Sequence, residues 1–184
     1  MSSTPFKVPG ESIDREALAR DLVDAAVLRG SFVLRSGATS TYYVDKYLFT
    51  TRPGILRRLA LVIAQQLPRE TQRVAGTALG AVPLATAVSL ATDLPAVLVR
   101  AERKEYGTSR AVEGTLLAGE RVVLVEDVVT TGGAALNAVA ALRDVGAEVL
   151  QLIAVVDREE GGAAAIEAAG VAYSALFTRS GLGL

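Results

Sequence analysis

The sequence contains no cysteine, no histidine and no tryptophan, and only 5% of its residues are aromatic. Without cysteine there can be no disulfide, thiolate zinc site or cysteine nucleophile. Without histidine there can be no Ser-His-Asp triad and no imidazole general base. Any catalysis must therefore depend on carboxylates, lysine, arginine, tyrosine, hydroxyls, backbone amides or a metal ion held by oxygen atoms.

Two further absences concern partners and location. Lysine and arginine total 19 against 20 aspartates and glutamates, so the chain lacks the basic excess typical of proteins that bind nucleic acid or membrane surfaces. No stretch of about 18 residues is apolar without a charge, and the first residues lack the apolar segment of a signal peptide. We therefore expect a cytoplasmic protein that binds neither nucleic acid nor a membrane.

The length of 184 residues and the 51% hydrophobic content predict a single domain over residues 1–184, with a loose polar arm at 1–11. An amphipathic helix is predicted from Ser12 to a stop at Gly30, followed by a hairpin and a helix. After these the pattern alternates between strands and helices. The predicted hairpin strands are 31–36 and 41–48, the next helix is 55–67, the later strands are 73–76, 95–100, 121–126, 149–156 and 171–176, and the later helices are 82–92, 134–145 and 163–169.

Most of these later strands are apolar at nearly every position, as strands buried on both faces must be. Their alternation with helices predicts an α/β fold, a parallel twisted sheet with helices on both faces, and the N-terminal hairpin region forms a small hood. One segment, 101–120, has no apolar periodicity and carries many charges near its start. Loops of that length inside a compact domain are usually lids or binding loops, so we predict a long flexible lid there.

The strongest chemical signal lies between residues 122 and 134. A buried strand ends in Glu126 and Asp127, a loop rich in threonine and glycine follows, and a helix begins. Glycines allow close backbone approach and the first amides of a helix attract anions, so this loop suits a phosphate. Two carboxylates beside it favour a phosphorylated sugar. The plainer interpretation is a strand followed by a capped helix.

The segment 123–134 resembles the motif with which type I phosphoribosyltransferases bind phosphoribosyl pyrophosphate (PRPP). In that family the two acids contact the ribose hydroxyls and the loop holds the 5-phosphate. The resemblance implies a set of PRPP contacts along one continuous stretch of chain. These residues are Glu126, Asp127, Val128, Val129, Thr130, Thr131, Gly132, Gly133 and Ala134.

Three other segments are similar to the orotate phosphoribosyltransferase branch of that family: residues 32–45, residues 99–107 with the Glu-Gly at 113–114, and residues 155–158. The resemblance implies transfer of the phosphoribosyl group of PRPP to orotate in pyrimidine nucleotide synthesis. The orotate contacts it implies are Arg35, Tyr43, Val44, Thr130 and Arg158. From the residues alone, Arg158 could equally pair with Asp157 or Glu159, and Tyr42 and Tyr43 could serve strand packing.

The charged loop matches the family lid, in which Lys104 meets the pyrophosphate and reaches into the site of a neighbouring subunit. This implies a homodimer, with Arg100, Arg103 and Tyr106 as further PRPP contacts. The catalytic residues that the resemblance implies are Lys104, Glu126 and Asp127. Mg²⁺ is the expected cofactor, held mainly by PRPP and not directly by the protein.

Two positions depart from the family pattern. Ala101 stands where the lid usually has lysine, and Gly80 stands where some members carry a pyrophosphate-binding lysine. These differences leave open a PRPP-sensing regulator without catalytic activity. A type I phosphoribosyltransferase acting on another base is the second alternative, although Arg158 argues against it.

Overall fold

The computed structural model describes residues 12–33, 37, 39–100 and 111–184. Within these ranges the chain forms six α-helices, eight strands and a final 3₁₀ turn at Ser180–Leu182. The helices are α1 (Arg15–Ala26), α2 (Lys46–Thr50), α3 (Pro53–Ala64), α4 (Val82–Thr92), α5 (Gly133–Asp144) and α6 (Gly162–Ala168). The strands are β1 (Val27–Val33), β2 (Thr39–Val44), β3 (Arg73–Thr77), β4 (Ala96–Val99), β5 (Val112–Glu113), β6 (Arg121–Val129), β7 (Glu148–Asp157) and β8 (Ala172–Thr178).

The main sheet confirms the predicted α/β class. Its strands lie in the order β5-β4-β3-β6-β7-β8, and all neighbours are parallel except β4 and β5. Alternate residues of the central strands face two separate cores: Val123 and Val125 pack with helices α1 to α4, whereas Val122 and Leu124 pack with α5 and α6. Helices therefore cover both faces, which is why the β6 sequence is apolar on consecutive residues.

The hood, which consists of α1, β1, β2 and α2, forms with the predicted hairpin, but its boundaries differ from the prediction: β1 begins at Val27 instead of residue 31, and β2 begins at Thr39 instead of residue 41. Helix α1 ends at Ala26 and not at Gly30, because Val27 turns into an extended strand that pairs antiparallel with β2. Asp14, not Ser12, caps α1, and its carboxylate accepts a hydrogen bond from the Ala17 amide at 2.9 Å.

The second predicted hairpin strand is too long at its C-terminal end. β2 stops at Val44, and the short helix α2 follows where a strand to residue 48 was predicted. Asp45 ends the strand because its side chain accepts a hydrogen bond from the Tyr47 amide at 3.0 Å and so begins the helix. As a result, Lys46 lies at the first position of α2, under the hood.

The segment predicted to be a loop, 101–120, contains a short strand. Val112 and Glu113 form β5 and pair with β4 at the sheet edge, so the prediction of a continuous loop is wrong over these residues. Residues 101–110 and the arm at 1–11 lie outside the described residues. Among the helices that the structure describes, none is long and apolar enough to cross a bilayer.

Candidate functional site

The candidate site lies at the C-terminal edge of the sheet, where β3 and β6 end side by side. In a parallel sheet this edge is the ordinary place for a ligand. β6 continues two residues beyond the acid pair, because Val128 and Val129 still pair with β7. Glu126 and Asp127 therefore lie within the strand and are buried, a correction to the prediction that the strand ends at the acids.

The loop that joins β6 to α5 has the geometry of an anion site. Gly132 adopts a φ of 84°, a left-handed conformation that glycine accepts without strain, and precedes α5 with no side-chain cap. The first helical hydrogen bond of α5 runs from the Leu136 amide to the Gly132 carbonyl at 2.8 Å. The amides of Gly133 to Ala135 therefore have no partner within the helix and can face a phosphate.

The neighbouring loop at the end of β7 supports this anion site by close backbone packing. The Gly162 amide donates to the Thr130 carbonyl at 3.0 Å, and the Arg158 amide donates to the Val129 carbonyl at 2.8 Å. A Cβ at Gly162 would lie 2.5 Å from both the Thr130 carbonyl oxygen and a methyl of Val129. The shape of the loop thus depends on glycine at position 162.

Glu126 is held in a dry environment, 4% exposed. Burial raises the pKa of Glu126 to about 8, although a hydrogen bond from the Thr77 hydroxyl, at 2.5 Å from Oε2, acts in the opposite direction. Among the residues that the structure describes, its other carboxylate oxygen is buried without a hydrogen-bond partner. At neutral pH this side chain is therefore mostly a neutral acid that can both donate and accept.

Asp127 has a different environment, although it is only 2% exposed. Its Oδ1 accepts a hydrogen bond from the Val128 amide at 2.6 Å, and the ammonium of Lys46 lies 3.0 Å from Oδ2. The Lys46–Oδ2 contact is an ion pair. The negative charge of the acid pair thus resides on Asp127 in this structure.

Arg158 lies just after β7 and is 8% exposed. Its guanidinium stacks over the Tyr42 ring, 5.2 Å from the ring centre, and its Nη2 lies 3.0 Å from Glu160 Oε1. The two ion-pair partners that the sequence left open, Asp157 and Glu159, are therefore not the ones observed. The Nε–H group is buried and has no partner within the described part of the chain, so Arg158 retains a donor for a planar anion.

A cavity of about 700 Å³ joins the anion loop to Arg158. Ten of the predicted site residues line it: Tyr43, Glu126, Val128, Val129, Thr130, Thr131, Gly132, Gly133, Ala134 and Arg158. Val33 and Glu160 also contribute to the wall.

The remaining predicted residues do not line the cavity. Asp127 is next to Glu126 on β6, but its side chain lies against Lys46 and the Gly80 backbone. Val44 does not line the cavity, because its side chain is buried in the core where β2 pairs with β1. Arg100, at the end of β4, forms an ion pair with Glu113 of β5 at 2.7 Å. Arg35, Arg103, Lys104 and Tyr106 lie outside the described residues, so their roles stay predictions.

Besides cavity residues such as Val33 and Glu160, two partners of the acid pair were missed in the sequence. Thr77 ends β3, and its contact with Glu126 could have been anticipated, because β3 and β6 were both predicted strands with ends at one edge. Lys46 gave no signal, because it was predicted to be part of a β-strand. Only the hood's position over the sheet brings its ammonium to Asp127.

Comparisons with known proteins agree with this geometry. The family model described as the phosphoribosyl transferase domain matches residues 52–168. An orotate phosphoribosyltransferase of Natronomonas pharaonis is 47% identical over 168 residues, which cover 89% of this chain and 96% of that protein.

Solved structures are similar over nearly the whole chain. The orotate phosphoribosyltransferase of Mycobacterium tuberculosis in complex with Fe(III) dicitrate has a TM-score of 0.82 and 38% identity, and the match covers 94% of this chain and 100% of that one. The same enzyme in complex with PRPP gives a TM-score of 0.76 and 37% identity, with the same coverage. The site geometry, the family model and these relatives together show that the chain belongs to the phosphoribosyltransferase family, in its orotate phosphoribosyltransferase branch.

Proposed function

We propose that the protein transfers the phosphoribosyl group of PRPP to orotate, giving orotidine 5-monophosphate and pyrophosphate. The bond between ribose C1 and the pyrophosphate oxygen breaks, a bond from C1 to a ring nitrogen of orotate forms, and the proton of that nitrogen passes to solvent. The observation that carries the proposal is the single cavity that contains both the anion loop after β6 and the guanidinium of Arg158. The high identity to orotate phosphoribosyltransferases supports the choice of base.

Each side of the cavity has a role in this reaction. The 5-phosphate binds the amides and hydroxyls of Thr130 to Gly133, and the ribose hydroxyls meet Glu126 and Asp127. The charge on Asp127 favours the positive ribose ring that develops as the bond to pyrophosphate breaks, while neutral Glu126 acts by hydrogen bonding. Arg158 takes the orotate carboxylate, for which a planar guanidinium is well suited.

We infer from the resemblance that Lys104, with Arg100 and Arg103, stabilises the departing pyrophosphate, and that Lys104 acts across a homodimer. This arrangement predicts complementation: a Lys104→Ala variant mixed with an Asp127→Ala variant should regain part of the activity, because one hybrid site keeps both residues. Absence of any gain, with hybrid dimers shown to form by native mass spectrometry, would place the lid in its own subunit's site. The cytoplasmic location also stays a prediction.

We propose that Mg²⁺ accompanies PRPP, held by pyrophosphate and ribose oxygens, and that it neutralises charge on the leaving group. The two site acids support this assignment, because Glu126 is bonded to Thr77 and Asp127 is paired with Lys46. One oxygen of each carboxylate is thus already engaged within the protein, Oε2 of Glu126 by Thr77 and Oδ2 of Asp127 by Lys46, which favours PRPP oxygens as the ligands of the metal ion.

The test follows the absorbance of orotate in the presence of PRPP and Mg²⁺, with adenine, guanine, hypoxanthine and uracil in parallel reactions. Consumption of orotate that requires both PRPP and Mg²⁺ is the expected result. Turnover of a purine instead would assign the protein to another base. PRPP binding without turnover of any base would favour a regulator that binds PRPP and performs no chemistry.

A further inference from the structure

Lys46 connects the hood to the centre of the candidate site. It is the first residue of α2, yet its ammonium lies 3.0 Å from Oδ2 of Asp127, which belongs to β6. The lysine side chain remains 37% exposed, and its ammonium carries three N–H donors, more than the contact with Asp127 can use. A cation thus touches the acid that the proposed function places beside the ribose.

The loop that follows β3 makes room for this lysine. A Cβ at Gly80 would overlap with Asp127 Oδ2 and would lie only 2.9 Å from Cε of Lys46. Any side chain at position 80 would therefore compete with Lys46 for the same space. Lys46 can therefore lie beside Asp127 because Gly80 has no side chain.

Lys46 keeps its positive charge at neutral pH. Partial burial alone would lower the pKa of Lys46, but the carboxylate of Asp127, with a smaller contribution from Glu126, raises it above its ordinary value. The lysine therefore remains an ammonium throughout the neutral range. Its charge beside the glycine-containing loop at 76–83 is available to a second anion as well as to Asp127.

We propose that Lys46 is a PRPP-binding residue that supplies the pyrophosphate contact from the hood, in place of a lysine on the loop at Gly80. This inference rests on the proposed function, because pyrophosphate is the leaving group of that reaction. A polyphosphate bound beside Gly80 presents several negative oxygens to an ammonium that has donors to spare. A purely structural lysine would only hold Asp127 in place.

The experiment compares two kinds of ligand in wild-type protein and in a Lys46→Met variant, which keeps the length of the side chain and removes its charge. Calorimetry gives the dissociation constants of pyrophosphate and of orotidine 5-monophosphate, which lacks pyrophosphate. The steady-state assay gives the KM of PRPP. Arg69→Met is the matched control, since it removes one exposed positive charge before β3, at the opposite edge of the sheet.

We expect Lys46→Met to weaken pyrophosphate binding and to raise the KM of PRPP by about 10- to 100-fold, as is typical for loss of a charge-assisted contact. The affinity for orotidine 5-monophosphate should change by less than about threefold, and Lys46→Arg should restore most of the pyrophosphate affinity. Arg69→Met should change neither the pyrophosphate affinity nor the KM of PRPP. Unfolding midpoints of all variants show whether the fold is retained.

An equal loss of affinity for pyrophosphate and for orotidine 5-monophosphate would overturn the proposal, because Lys46 would then act only through Asp127. Unchanged affinity for both would overturn it as well. If the wild-type protein forms no orotidine 5-monophosphate from PRPP and orotate, the proposed function fails, while the pyrophosphate titrations still decide the role of Lys46.

Discussion

Glu126 and Asp127 are neighbours in the chain and carry the same functional group, yet their surroundings give them different charges. In the described part of the chain, Glu126 has a hydroxyl as its partner and is mostly neutral at pH 7, whereas Asp127 has an ammonium at 3.0 Å. Adjacent residues of a strand point to opposite sides, so each acid meets a different set of neighbours. The charge of each acid is therefore set by its own neighbours and not by its position in the pair.

The raised pKa of Glu126 predicts a pH dependence of stability. Between its ordinary value of 4.5 and about 8, the folded protein holds a proton that the unfolded chain has lost. The free energy of unfolding should therefore decrease as pH rises through this window, by up to about 1.4 kcal/mol per pH unit, and this slope should end above pH 8.

Urea denaturation at a series of pH values measures this effect, with Glu126→Gln as the variant that cannot ionise. The wild-type protein should lose stability relative to the variant from pH 5 to 8. Glu148→Gln, which removes an exposed carboxylate at the far end of β7, is the control. A constant difference between wild type and Glu126→Gln across this range would contradict a buried neutral acid.

Glu160 forms an ion pair with Arg158, the side chain that we propose binds the orotate carboxylate. Because Glu160 is 41% exposed, its ion pair with Arg158 is of the kind worth at most about 1 kcal/mol. Glu160→Gln should therefore lower the KM of orotate by up to about fivefold with little change in kcat. Steady-state kinetics test this, with Glu167→Gln on the outer part of α6 as the control. An unchanged or higher KM would show that Glu160 does not compete with the substrate.

At the scale of elements, the anion site depends on the contact between the loop after β6 and the first turn of α6. Gly162→Ala would push a methyl against the Thr130 carbonyl and Val129. We expect a loss of about 1–3 kcal/mol of stability, as for other overpacked sites, together with a several-fold higher KM for PRPP.

Gly54→Ala is a matched control for this substitution, because it lies near the start of α3 and a Cβ there has open space around it. It should leave the KM unchanged and the stability equal or slightly higher. Thermal denaturation and PRPP kinetics of both variants provide the comparison. If Gly162→Ala behaved like Gly54→Ala, close packing at position 162 would not shape the loop.

The elements that the sequence predicted well are those with strong local patterns. Helix α4 has the predicted limits, and the sheet strands are correct to within about three residues at their ends, because continuous apolar runs mark strands buried on both faces. The errors lie where weak local signals compete with tertiary contacts. β5 consists of two residues without a pattern of their own and exists because β4 offers an edge.

At the scale of the whole molecule, the hood and the sheet share one core. The larger hydrophobic cluster contains Leu18 and Phe49 of the hood helices together with Val125 and Ile153 of the sheet. The ion pair between Lys46 and Asp127 adds a polar contact between the same two parts. Binding at their junction should therefore stabilise the entire chain.

We expect PRPP with Mg²⁺, at about 100 times its dissociation constant, to raise the free energy of unfolding by about 2.7 kcal/mol and to preserve a single thermal transition. Differential scanning calorimetry with and without PRPP measures both quantities, and Mg²⁺ alone is the control. Two separate transitions, of which PRPP shifts only one, would mean that hood and sheet unfold independently.

The sequence by itself determined the α/β class, the order of most elements and the loop that we propose binds phosphate, because these depend on residues close together in the chain. The identity of the acids, glycines and threonines between residues 126 and 133 was sufficient to indicate a sugar phosphate. Only the tertiary structure decided what surrounds those acids. Thr77 and Lys46 are 49 and 81 residues away in sequence from their carboxylate partners. A local sequence pattern cannot predict contacts between residues so far apart in the chain.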